Sequence, residues 1–122
     1  MKYSVDKRER FSIVKVDEDK LLSNNAPELK ALLIDLNKEG VKNLILDLSV
    51  VQFVDSSGLS SLLVGNRIAS ESEGTFVLTN LSTHLQKLIK ISQLESILTI
   101  IPTLQEAIDY VMMEELNRDL MS

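Results

Sequence analysis

The chain has 122 residues, 44% of them apolar and 25% charged, which suits one compact domain and is too short for two ordinary ones. Thirteen basic against eighteen acidic residues give a net charge of -5, which argues against nucleic-acid binding, where phosphate neutralisation dominates affinity. No cysteine is present, so disulfides, thiolate catalysis and zinc–thiolate sites are excluded.

Aromatic residues make up only 4%, so the core must be built from Leu, Ile and Val. The first ten residues are charged and lack the apolar centre of a signal peptide. No apolar run approaches the roughly twenty residues that cross a bilayer. A cytoplasmic protein without membrane insertion is expected.

Residues 11–16 mix β-branched and aromatic side chains with polar ones and predict an early strand, paired with a shorter one at 3–5. Asp17-Glu18-Asp19-Lys20 reads as a solvated hairpin tip rather than a metal site. Asn25 with Glu28 three residues on, and Pro27 between them, reads as a capping box opening a first helix. Leu29, Leu32, Leu33 and Leu36 recur at helical spacing, and Gly40 supplies a left-handed stop.

The strand at 44–48 is apolar on both faces apart from Asp47, as a covered central strand would be. A second helix starts at Ser56-Ser57, buries Leu59, Leu62 and Leu63, and approaches the sheet closely at Gly65. A strand at 75–79 follows. Thr83 with Gln86 opens a third helix on Leu85, Leu88 and Ile89. After a short strand at 98–101, Thr103 with Glu106 opens a last helix whose face is Leu104, Ile108, Val111 and Met112. The tail from 116 to 122 is expected to fray. Alternating strands and helices predict one α/β domain over 1–122, a mixed sheet of about four to five strands covered by about four helices.

No catalytic set emerges. There is no Gly-x-Ser-x-Gly elbow, P-loop or dinucleotide fingerprint. The one histidine, His84, reads as a surface or packing residue. Carboxylate pairs such as Glu114-Glu115 read as a solvated helix face, and no cluster has metal-ligand spacing. Neither an enzyme nor a cofactor is expected. The informative stretch is Leu44-Ile45-Leu46-Asp47-Leu48-Ser49-Val50-Val51-Gln52-Phe53-Val54-Asp55-Ser56-Ser57-Gly58-Leu59, which reads as strand, tight loop and helix start. Asp55 and Ser56 are good N-cap residues. Ser57 then stands at the helix start, where a serine can present its hydroxyl to a partner, although most serines at such positions are never modified.

This stretch resembles the signature of the STAS domain family, in particular the bacterial anti-sigma factor antagonists. The resemblance extends to Asn25-Ala26-Pro27-Glu28-Leu29 at the first helix, to Gly74 and the strand after it, and to Glu106-Ala107 in the last helix. It implies that Ser57 is a phosphorylation switch. It further implies that Asn24, Asp55, Ser56, Ser57, Gly58 and Leu59 border the partner surface. The implied partners are an anti-sigma factor that is also a serine kinase, bound by the unphosphorylated chain, and a PP2C-type phosphatase that resets it. The alternative is a STAS subunit regulating a membrane transporter such as a lipid-type ABC complex. Two positions depart from the pattern. Asp19-Lys20-Leu21-Leu22-Ser23-Asn24 replaces a Gly-x-Leu-Asp segment, and Gln93 stands where a glycine often ends the third helix.

Overall fold

The structure, a computed structural model, describes residues 1–121. Five strands form the main sheet: β1 (Tyr3–Lys7), β2 (Ser12–Val16), β4 (Asn43–Asp47), β6 (Thr75–Thr79) and β7 (Thr99–Ile101), in spatial order β1-β2-β4-β6-β7. β1 and β2 are antiparallel, and every other pairing is parallel. Two short strands, β3 (Lys20–Leu21) and β5 (Phe53–Val54), pair in parallel as a separate ribbon. The helices are α1 (Ala26–Lys38), α2 (Ser56–Glu71), α3 (Thr83–Ile91) and α4 (Leu104–Met121).

The two-residue period of the strands sorts the core into two layers. Val14, Val16, Leu44, Leu46, Phe76 and Leu78 face one side and pack with Leu29, Leu33 and Leu36 of α1, Leu62 and Ala69 of α2, and Leu85 and Ile89 of α3. Their alternates Ile13, Ile45 and Val77 face the other side and meet Ala107 and Val111 of α4. β4 is buried along its whole length, which explains why it reads as a continuous apolar run. Asp47 at its end is held by accepting from the backbone N–H of Ser49 and from Asn80 Nδ2.

The expected class and element order hold, with local corrections. Residues 17–20 do not form a hairpin tip, because the chain leaves β2 for the β3–β5 ribbon, and the Asp19 carbonyl accepts from the N–H groups of Gln52 and Phe53. The Asn25–Glu28 capping box is not made. Asn25 instead takes the Leu22 N–H and donates to the Lys20 carbonyl, while Glu28 meets the amino group of Met1. α3 is capped by Ser82, one residue earlier than expected, whose hydroxyl accepts from Leu85 N–H. Leu59 and Leu63 of α2 are only half-buried, whereas Gly58, Ser61, Val64 and Gly65 are buried. Met112 is exposed, on the side of α4 away from Val111.

α4 is helical to Met121, where fraying was expected from 116; Ser122 lies outside the described residues. A polar anchor accounts for the difference. Asn43 is 2% exposed, and its amide donates to the Arg10 carbonyl and to Glu115. Its oxygen accepts from Thr75 N–H and from Arg118, which also bonds Glu115 and the Thr75 hydroxyl. Glu115 therefore belongs to this network and not to a purely solvated face.

Three helices end in the same way. In α1, α2 and α3 the N–H two residues past the C-cap reaches back to the third-last helical carbonyl: Val41 to Leu36, Gly74 to Ala69 and Leu94 to Ile89. This motif requires a left-handed residue in between. It is Gly40 (φ 101°), Glu73 (φ 57°) and Gln93 (φ 59°) respectively. The glycine at 74 is needed for another reason. A Cβ there would lie 1.9 Å from the Lys42 carbonyl oxygen, where the chain enters β6 beside β4.

Candidate functional site

The β3–β5 ribbon brings the loop before α1 against the start of α2. Asp55 caps α2 from extended backbone, its Oδ1 accepting from Gly58 N–H at 2.9 Å. Its Oδ2 accepts from Ser23 N–H, also at 2.9 Å. One carboxylate therefore satisfies an orphan donor of the helix and fastens the 22–25 turn to it. The Gly58 N–H, opposed by some desolvation and aided by the Ser23 and Ser57 N–H groups, holds the Asp55 carboxyl below its ordinary range. Donors aimed at the ionised form favour it.

Gly58 is the contact that sets this spacing. It is buried, and a Cβ on it would lie 2.4 Å from both the Leu21 carbonyl oxygen and Val54 Cγ1. Its place is thus under the site rather than on its surface. Ser61 supports it from the next turn, donating to the Gly58 carbonyl at 2.6 Å.

Ser56 is exposed and Ser57 half-buried in the first turn of α2. Both line an open groove between α1 and α2 with Ala26, Pro27, Lys30, Ser60 and Ser61. Lys30 is exposed, and among the described residues no ion pair or hydrogen bond occupies its amine. Asn24 is exposed in the turn that Asp55 holds through Ser23, so it stands on the rim of the same region. Leu59 is half-buried. His84 lies outside the serine groove. Its ring meets that of Phe53 edge to face, with centroids 5.7 Å apart, and Phe53 is itself 51% exposed. The histidine and the serines do not form a nucleophile–base arrangement.

Ser23, Lys30 and Phe53 were not singled out from sequence as site residues. Lys30 had no local signal, because its place on the same groove as Ser57 depends on α1 packing against α2. The apolar side chain of Phe53 at a strand position reads as core until the ribbon is known to lie at the surface.

Together the fold and this loop define an α/β domain that presents serines at an open helix start. The STAS domain model matches residues 2–107, and the chain belongs to that family. A putative anti-sigma factor antagonist from Thermotoga maritima is 27% identical, with a TM-score of 0.78 over 89% of this chain and 93% of that one. The Bacillus cell-fate determinant SpoIIAA, in its phosphorylated form, is 22% identical, with a TM-score of 0.69 over 90% and 99%. The same fold recurs in the murine anion transporter Slc26a9, at 20% identity and a TM-score of 0.72, over 88% of this chain and 18% of the transporter. Among the described residues, no helix is long and apolar enough to cross a membrane.

Proposed function

We propose that this chain is a cytoplasmic anti-sigma factor antagonist that works by partner switching. Unphosphorylated, it binds an anti-sigma factor that is also a serine kinase, and a sigma factor is released. Phosphorylation of Ser57 ends that complex, and a PP2C-type phosphatase restores it. The chain is the kinase's substrate and needs no cofactor of its own.

The observation that carries this reading is the position of Ser57, in the first turn of α2 on an open groove that Lys30 also lines. A phosphoserine adds roughly -1.5 to -2 charges at neutral pH. The helix N-terminus and the Lys30 amine both favour a phosphate there, so the fold tolerates the modification. A partner seated over Asn24, Ser56, Ser57 and Leu59 does not, because it would have to desolvate the new charge. Asp55, held ionised, adds like charge beneath it. The switch is therefore one of binding, with little change of fold.

The test is to incubate the chain with candidate serine kinases from its own genome and ATP, and to map phosphate by mass spectrometry, with Ser57→Ala as control. Phosphate on Ser57 that is lost in the variant, together with loss of kinase binding, is the expected result. No phosphate with any candidate kinase overturns it.

A second reading is a STAS subunit that regulates a membrane transporter of the lipid ABC type. The likeness to a segment of Slc26a9 supports it. It predicts stable binding to a transporter ATPase subunit that Ser57→Ala leaves unchanged.

A further inference from the structure

α4 has two apolar sides, and only one of them is covered. Ala107 and Val111 are fully buried against the sheet. On the outer side Met112, Met113, Leu116 and Leu120 are 41%, 59%, 51% and 75% exposed. Positions 112, 116 and 120 are spaced by four and 113 and 116 by three, so they form one stripe along the helix. The backing is firm, since Arg118 and Glu115 fix this half of α4 to Asn43 and Thr75.

The charges around the stripe have one predominant sign. A groove along it is lined by Arg10, Asp109, Met112, Met113, Glu115, Leu116 and Asp119. Arg10 already bridges Glu115 at 3.6 Å and Asp119 at 3.4 Å. Arg118 is turned inward to the Asn43 network. The rim is therefore net acidic, on a chain of charge -5. A second copy laid along the stripe would set these carboxylates against their own images.

We propose that the outer face of α4 is a docking surface for a cationic amphipathic helix of a partner protein. Apolar anchors one turn apart fill the space between Met112, Met113 and Leu116, and a flanking Lys or Arg faces Asp109. The surface does not involve Ser57, so it stands or falls separately from the switch.

The experiment uses the full chain and two labelled helical peptides of one apolar pattern, one Leu/Lys and one Leu/Glu, read by fluorescence anisotropy. Methyl spectra of the methionines locate the contact. The Leu/Lys peptide is expected to bind and to shift Met112 and Met113, and the Leu/Glu peptide not to bind. Leu116→Ser should weaken binding about tenfold or more, whereas Ile91→Ser, an exposed apolar residue of α3, should change it less than about twofold. Asp109→Lys keeps the stripe intact and should weaken binding with an unchanged thermal midpoint, which separates recognition from folding. Methionine shifts absent on binding, equal binding of both peptides, or insensitivity to Leu116→Ser and Asp109→Lys overturns the proposal. So does self-association in sedimentation that Leu116→Ser abolishes, which makes a second copy the occupant.

Discussion

The Oδ2 atom of Asp55 accepts a hydrogen bond from the backbone N–H of Ser23, 32 residues earlier in the chain, at 2.9 Å. Because Oδ1 takes Gly58 N–H, the two loops that frame the serines share one carboxylate. Asp55→Ala should remove both bonds, lower the thermal midpoint by a few degrees and speed amide exchange at Ser23 and Gly58 together. Asp55→Asn keeps a capping oxygen but turns an amide NH2, itself a donor, toward the other N–H. Exchange should then rise mainly at Ser23. Equal protection at Ser23 in all three proteins would show that the turn holds without the carboxylate.

The same carboxylate has a pH signature. Its folded pKa lies below the ordinary value of 3.8, first through the Gly58 N–H. A depressed carboxyl contributes stability that is present above the unfolded pKa and is lost as pH falls through the folded one. Between pH 5 and 8 this contribution should be flat. Below about pH 4 the wild type should lose stability that Asp55→Asn does not lose. An NMR titration of the Asp55 carboxyl carbon, with the Ser23 and Gly58 amides as reporters, measures the midpoint directly.

Glycines 74 and 40 should respond differently to alanine. At Gly74 the new methyl meets the Lys42 carbonyl, a backbone atom that cannot turn aside. Gly74→Ala should cost about 3 kcal/mol by strain on β4 and β6. At Gly40 the surrounding space is open and only the positive φ opposes the change, so Gly40→Ala should cost about 1–2 kcal/mol. Urea titration ranks the two.

Gln93 holds a left-handed conformation that glycine adopts without a Cβ clash. Gln93→Gly should therefore stabilise by about 0.5–1 kcal/mol, since the relieved strain exceeds the added chain entropy. Glu73→Gly, at the matching position of α2, should do the same. A loss of stability in both would mean that the side chains contribute contacts that outweigh the backbone cost.

Asn43 carries the joint between α4 and the sheet. Asn43→Ala leaves the Glu115 and Arg118 groups short of partners in a half-buried place and should cost about 2–3 kcal/mol. Helical signal from residues 115–121 should weaken before the rest of the domain unfolds. Hydrogen exchange of α4 distinguishes this from a uniform loss of stability.

The order of strands and helices, the covered central strand and the Asp55 cap were legible in the chain because each rests on local pattern. Apolar period, a capping residue and a breaker act within a few neighbours. Gln93 drew notice only through the family resemblance, as a departure that could alter the turn, and the structure keeps the left-handed turn with glutamine in it. Expectations failed where another partner, near or far in the chain, took the group that a local motif would use. Asn25 left its capping role for Leu22 and Lys20, Glu28 turned to Met1, and Ser82 displaced Thr83. The ribbon of β3 and β5 was missed because two residues per strand give no period.

The sequence alone determined that this is one α/β domain of STAS type with serines at the start of its second helix. Those features follow from side-chain pattern along the chain and from the resemblance of the signature. Tertiary structure decided the surroundings: Ser23 on Asp55, Lys30 on the groove that Ser57 lines, Phe53 against His84, and a last helix pinned by Asn43 with one apolar face outward. Each of these joins segments far apart in the chain, and their meeting depends on how the helices pack on the sheet, which no local pattern records.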